Sequence, residues 1–285
     1  MTTATRYSAR DLVEASIQIA SPPVVYEQLM RVIHDPRSGA ADVAGVISDD
    51  QGLTARVLKV VNSAFFSLPF KVDSVTTAVR VVGTSQIRDL AVATSVMSMF
   101  DDVDEDLLDL KSFWHHSLGT GVTARVFAAH RGEDNIERFL VAGLLHDLGK
   151  LIMIMNAAPG MSAALTESTE TGRPLLECEK EHVGCHHAQV GGMLIEKWNF
   201  PPALTQAVAY HHHPRRADRF PVEAAAVHVA DMISIGMQWG RGGQARVPQL
   251  DPGAWDTLGI DPSVIPSLLE DASRQLDAAI QLITG

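Results

Sequence analysis

A chain of 285 residues with 46% hydrophobic side chains carries enough apolar material for one large domain or two tightly joined ones, which excludes wholesale disorder. Its formal net charge of −11, from 23 Lys and Arg against 34 Asp and Glu, gives no overall attraction to nucleic acid or to an anionic membrane surface, although it is compatible with a local basic pocket. Met1 to Arg10 is polar, no run reads as long enough to span a bilayer, and Cys178 and Cys185 match neither a disulfide framework nor a paired-cysteine metal site, so a cytoplasmic protein with free thiols is expected.

Helical periodicity dominates, and β-type alternation is hardly seen. Leu53, Val57 and Val60 share one face behind Asp49 and Asp50, which predicts a capped amphipathic helix. The loop Asn62-Ser-Ala-Phe-Phe-Ser-Leu-Pro69 follows, and its Phe65 and Phe66, with nearby Phe70, form either a docking surface or a contact buried between subdomains. Two helices are expected from Ser74 to Val82 and from Thr84 to Met99, punctuated by Gly83, with Ile87, Leu90, Ala91 and Thr94 inward. Apolar periodicity lapses over the acidic stretch Asp101 to Asp109. Three regions are expected: an N-terminal helical subdomain over 1–105, a second helical subdomain over 106–240, and a loop with a closing helix over 241–285. That last helix is placed from about Ser267 to Leu282, behind a segment rich in glycine and proline.

Histidines concentrate between His115 and His228, and helical spacing sorts them by face. His116 lies on a face with Thr120, Thr123 and Phe127, and His187 leads a stripe of Val190, Leu194 and Trp198. Leu204, Val208, His211 and His212 fall on one stripe of the helix that Pro201 and Pro202 start. Asp231 projects among apolar neighbours, and a buried carboxylate needs a cation or several donors. The segment Phe139 to Met153 is apolar nearly all round and reads as one interior helix, so adjacent His146 and Asp147 inside it are costly unless compensated. His34, His115, His130, His182, His186 and His213 read as packed or surface residues. His228 is either a donor orienting Asp231 or a packed side chain.

Five imidazoles and two carboxylates, His116, His146, Asp147, His187, His211, His212 and Asp231, suit first-row divalent ions, and a dinuclear centre is the natural count. Lys150 lies within a turn of His146 and Asp147 and is a candidate to meet an anion held there. The ligand types favour no single metal, since iron, manganese, zinc, cobalt and nickel all accept imidazole and carboxylate.

The ordered set, with Leu-Leu-His146-Asp147-Leu-Gly-Lys150, resembles the HD superfamily of metal-dependent phosphohydrolases. The aromatic loop, Ala78-Val-Arg-Val-Val-Gly-Thr, Phe113-Trp-His-His-Ser, His187-Ala-Gln-Val-Gly and Tyr210-His-His-His-Pro narrow the resemblance to its HDOD branch, from about Ile17 to the C-terminus. That resemblance implies an all-α HD-like bundle with an N-terminal helical subdomain packed on it, and a role in bacterial signal transduction. Similarity to the HD-GYP branch, whose members cleave cyclic di-GMP, implies one ion at His116, His146, Asp147 and Asp231. It implies a second, preferably also iron or manganese, at Asp147, His187, His211 and His212, with Asp147 bridging. Two departures stand against carrying that activity over: His-Pro-Arg-Arg follows His212 in place of Gly-Tyr-Pro, and Ser112 occupies the position of a third-metal glutamate.

Two main functions follow. One is a regulatory module with a signalling protein partner and an intact dinuclear site. The other is a phosphohydrolase acting on a nucleotide or cyclic dinucleotide, with Asp147 and Lys150 in catalytic roles. A small phosphate-containing ligand suits both, nucleic acid and membrane suit neither, and a metal-free scaffold is the third reading.

Overall fold

The computed structural model describes residues 6–16, 24–35, 37–63, 66, 68–100, 103, 107–244 and 246–280, and among them every regular element is helical. The N-terminal part comprises α1 (Ala9–Ala15), α2 (Val24–His34), α3 (Ala40–Ser48), α4 (Gln51–Val61), α5 (Val75–Val82) and α6 (Thr84–Ser98). The chain continues through α7 (Leu110–Arg131), α8 (Glu137–Leu145), α9 (Leu148–Thr171), α10 (Leu175–His182), α11 (His187–Lys197) and α12 (Pro202–Tyr210). It ends with α13 (Pro221–Gly236), α14 (Pro252–Leu258) and α15 (Ile265–Ile280).

Local chemistry explains several of these boundaries. The Asp50 carboxylate accepts from the Leu53 amide at 2.9 Å and the Ser74 hydroxyl from the Thr77 amide at 3.2 Å, satisfying donors that the first turns of α4 and α5 leave unpaired. Gly83, at φ 111°, occupies a left-handed backbone conformation that separates α5 from α6. Pro159 lies in α9 just beyond Ala157, whose non-helical backbone (φ −139°, ψ 35°) divides the element into two helical segments that meet at a kink.

Helix α7 is the central rod, flanked by α8, α13 and α15, while α9 lies against α10 and α11 and α6 docks on α8. A single apolar cluster runs from Leu12 and Leu29 through Phe113, Leu151 and Trp198 to Ala279, so both halves share one core. A second, smaller cluster gathers Phe127, Phe139 and Ala226 under Leu258 of α14. The stretch Glu137–Thr171 meets the length and hydropathy of a membrane span, but 89% of its apolar window is buried inside the protein, as in a core segment.

Two crossings bring helix backbones into direct contact. A methyl group on Gly143 of α8 would stand 2.5 Å from the Gly121 backbone of α7, and one on Gly149 of α9 would meet the His187 carbonyl and, at 2.7 Å, the Gly191 amide of α11. Only glycine permits such approaches. They draw α7, α8, α9 and α11 around one interior point.

The aromatic residues of the 62–69 loop divide. Phe66 packs against the main core beneath the Arg125 guanidinium at 5.9 Å, Phe70 is exposed, and Phe65 lies outside the described residues.

Candidate metal centre

Seven side chains converge at that interior point. Helix α7 supplies His116, α11 opens with His187, and α13 carries Asp231. His146 and Asp147 form a turn between α8 and α9, and His211 and His212 follow the end of α12. The sequence reading of continuous helix through both dyads is therefore corrected. Consecutive residues of an α-helix diverge by about 100°, so two neighbours aim at one point only where the helix is interrupted.

Asp147 is the hub. Its Oδ2 lies 3.3 Å from His146 Nε2 and 3.7 Å from His116 Nε2, while its Oδ1 lies 3.3 Å from His187 Nε2 and 3.9 Å from His211 Nε2. Asp231 Oδ1 is 3.0 Å from His116 Nε2 and 3.6 Å from His146 Nε2, and the His187 and His212 Nε2 atoms meet at 2.8 Å. Three groups with the spacing to hold an ion result, His116/His146/Asp231, His146/Asp147/His211 and His187/His211/His212.

Most of these atoms lack a conventional partner. Nε2 of His116, His146 and His211, and Oδ1 of Asp147 and Asp231, are buried without a hydrogen bond among the described residues. Native interiors rarely leave such groups unsatisfied. Donors held 2.0–2.2 Å from a common ion stand about 3–3.5 Å from one another, close to the separations above. The donor set therefore fits a divalent cation better than it fits a hydrogen-bonded cluster.

Electrostatics point the same way. Burial opposes ionisation of Asp147 and Asp231, yet the facing imidazoles, with Lys150 at Asp147, hold both carboxyls well below the usual range. Burial, reinforced by neighbouring imidazoles, pushes His211 and His212 well down and leaves them neutral with lone pairs to donate. Burial opposes charge on His146 as well, but the two carboxylates prevail and raise it to about 10. The paired carboxylates thus demand positive charge at this point.

A family model for the HDOD domain matches residues 19–214. The chain belongs to the HDOD family. An uncharacterized protein of Treponema pallidum (strain Nichols) is 28% identical over 210 residues, covering 72% of this chain and 40% of that protein. The HDOD chain therefore spans well under half of that relative. Ribonuclease Y of Sulfurovum sp. (strain NBC37-1) is 33% identical over 119 residues, covering 42% of this chain and 18% of the enzyme. Among solved structures, an HDOD domain protein of unknown function from Geobacter sulfurreducens superposes with TM-score 0.82 at 24% identity, covering 96% of each chain. A candidate phosphohydrolase from Shewanella amazonensis SB2B gives TM-score 0.75 at 23% identity, over 96% of this chain and 98% of that one. Both share the helical fold.

A supporting layer fixes the HDOD imidazoles. His146 Nδ1 donates to the Gly143 carbonyl at 2.6 Å, His211 Nδ1 to the Val208 carbonyl at 2.8 Å, and His187 Nδ1 to Glu179 at 2.6 Å, which leaves each Nε2 facing inward. Glu179, fully buried, also accepts from the His187 amide at 3.0 Å, and sequence reasoning missed it. His228 donates from Nδ1 to the His211 carbonyl at 2.7 Å and accepts from the Asp251 amide at 3.0 Å, so it steadies the His211 turn and does not orient Asp231.

Lys150 is buried, bonding Asp147 Oδ2 at 2.5 Å and the Gly242 carbonyl at 2.6 Å. Gly242 itself seals this side, since a methyl group there would stand 2.8 Å from the His116 ring and 3.0 Å from Asp147 Oδ2. Its loop is anchored by the Arg241 amide, which donates to the Ser112 carbonyl at 3.1 Å. Of the seven clustered side chains only His212 is partly exposed. The other histidines stand apart: His182 bonds Glu167 at 2.6 Å, His186 caps α11, His130 and His213 are exposed, His115 is half-buried, and the His34 side chain lies outside the described residues.

Proposed function

We propose that this HDOD protein is a regulatory module of bacterial signal transduction built around a dinuclear divalent-metal centre. In this reading His116, His146, Asp147 and Asp231 hold one ion and Asp147, His187, His211 and His212 the other. The division of Asp147, with Oδ2 toward His146 and His116 and Oδ1 toward His187 and His211, supports the bridge. Iron or manganese is the favoured metal, with zinc, cobalt and nickel compatible with the same ligands. The proposed partners are a signalling protein and a small phosphate-containing ligand, in the cytoplasm.

The observation that carries the regulatory reading is enclosure. Catalytic metal sites keep a coordination position open to substrate, whereas structural sites are closed. Here the Gly242 backbone lies against His116 and Asp147, and both observed bonds of Lys150 are directed at protein oxygens.

A second reading, a phosphohydrolase acting on a nucleotide or cyclic dinucleotide, is favoured by the complete donor set and by a lysine beside the bridging carboxylate. The chemistry two such ions supply is polarisation of a phosphoryl oxygen and activation of water. Lys150 would exchange its bond to Gly242 for one to phosphate, which requires the 239–243 loop to withdraw.

Elemental analysis of protein purified without added metal, followed by phosphodiesterase assays with iron or manganese, tests both. Two ions per chain without turnover is the expected result. Turnover that disappears in Asp147→Ala establishes the enzyme instead, and protein without stoichiometric metal overturns both readings.

A further inference from the structure

An open cleft of about 810 Å³ lies beside the candidate metal centre, among the start of α1, the α11–α12 pair with the turn before it, and the turn after α12. None of the seven clustered side chains lines it, although His186 and His213, the sequence neighbours of His187 and His212, do. Its volume falls within the usual range for small-molecule sites.

The charge on its wall is opposite to that of the protein. Arg216 and Arg219 both line the cleft, both are exposed, and neither has a carboxylate partner among the described residues, in a chain of net charge −11. The contrast with Arg215 is direct, because that guanidinium is engaged with Asp251 at 2.7 Å. Arg216 instead lies over the Tyr210 ring at 5.7 Å and Arg219 over the Phe220 ring at 5.6 Å, which orients both planar forks without neutralising them. The acid in the lining is Glu196, and Asp218, beside Arg219 in sequence, accepts from Gln206 at 3.2 Å. Gln189 and Thr205 add neutral hydrogen-bonding groups, and Met193 and Phe200 add apolar surface.

We propose that this cleft is a binding site for a nucleotide-sized phosphorylated small molecule, separate from the metal centre. Arg216 and Arg219 hold the phosphates through charge-assisted, bidentate hydrogen bonds, and the Met193 and Phe200 side meets the apolar part of the ligand. The site goes beyond the function proposed above and does not depend on bound metal.

Calorimetric titration of the full chain with ATP, AMP and pyrophosphate tests it. Saturable binding of at least one is expected, unchanged after metal is stripped with EDTA. Each charge-assisted bond is worth roughly a tenfold change in affinity, so R216E/R219E weakens binding by about 100-fold while its metal content matches wild type. The charge control K59E/R80E, on exposed positions of α4 and α5, binds as wild type does. Absence of saturable binding by all three probes overturns the proposal. So does binding that disappears with EDTA yet survives R216E/R219E, since the phosphate then sits at the metal centre.

Discussion

Replacing Gly149 with alanine joins fold to site in one methyl group. The added carbon would collide with the His187 carbonyl and stand 2.7 Å from the Gly191 amide, and ordinary contact begins at 3.4 Å. Helix α9 must therefore withdraw from α11 by more than about 0.7 Å, which is the shortfall at the Gly191 amide alone and less than the His187 carbonyl demands, or bend. Both obstacles are backbone, which cannot rotate away, so the cost belongs near the upper end of overpacking penalties, about 3 kcal/mol. Asp147 precedes α9 and His187 opens α11, so their 3.3 Å separation widens to about 4 Å or more, beyond the roughly 3–3.5 Å that suits a shared ion. Affinity for the second ion should fall about 10–100-fold, as when a ligand loses its support. Urea unfolding and metal titration of Gly149→Ala measure the two effects. Gly45→Ala, on an exposed position of α3 with nothing within 4 Å, is the control and should gain about 0.5–1 kcal/mol. Wild-type stability and two tightly bound ions in Gly149→Ala would refute the reasoning.

Other perturbations reach the same centre by different routes. Lys150→Met removes the cation bonded to Asp147 and should destabilise EDTA-treated protein by about 3–5 kcal/mol in urea unfolding, with a smaller loss when metal is present; equal losses in both conditions would show that Lys150 and the metal do not share the carboxylate. Glu179→Gln keeps the shape but weakens the anchor of His187, and metal titration should report about a 10–100-fold lower affinity with helix content unchanged by circular dichroism. Removing metal should lower the unfolding free energy by about 2.7 kcal/mol for each site previously held at 100 times its dissociation constant; an unfolding midpoint indifferent to EDTA counts against a metal bound in the fold.

Where apolar periodicity met clear punctuation, sequence and structure agree. Asp50, Ser74 and Gly83 mark the ends of α4, α5 and α6 by side-chain capping or backbone freedom, and each of these signals is local. The break between α8 and α9 carries no such mark. Leu145 and Leu148 flank His146 and Asp147 in a stretch that is apolar on every side, so periodicity cannot distinguish a turn from one more helical turn. In α9 the helical geometry breaks at Ala157, two residues before Pro159, and both segments still pack against the rest of the core.

The seven clustered side chains were legible because each is a polar residue among apolar neighbours, and their ordered set along the chain singled them out from the other histidines. Their supports were not. Glu177, Glu179 and Glu181 alternate through one short helix, and only burial singles out Glu179, whose side chain is fully enclosed while those of the other two are each 56% exposed. Gly242 stands 92 residues from Lys150, in a loop whose composition suggests flexibility, yet its carbonyl receives the lysine and its bare α-carbon seals the centre. That long-range backbone contact covers the His116 and Asp147 side of the site. The choice between a regulatory and a hydrolytic reading therefore turns on a glycine that no local pattern distinguishes from its neighbours Gly240 and Gly243.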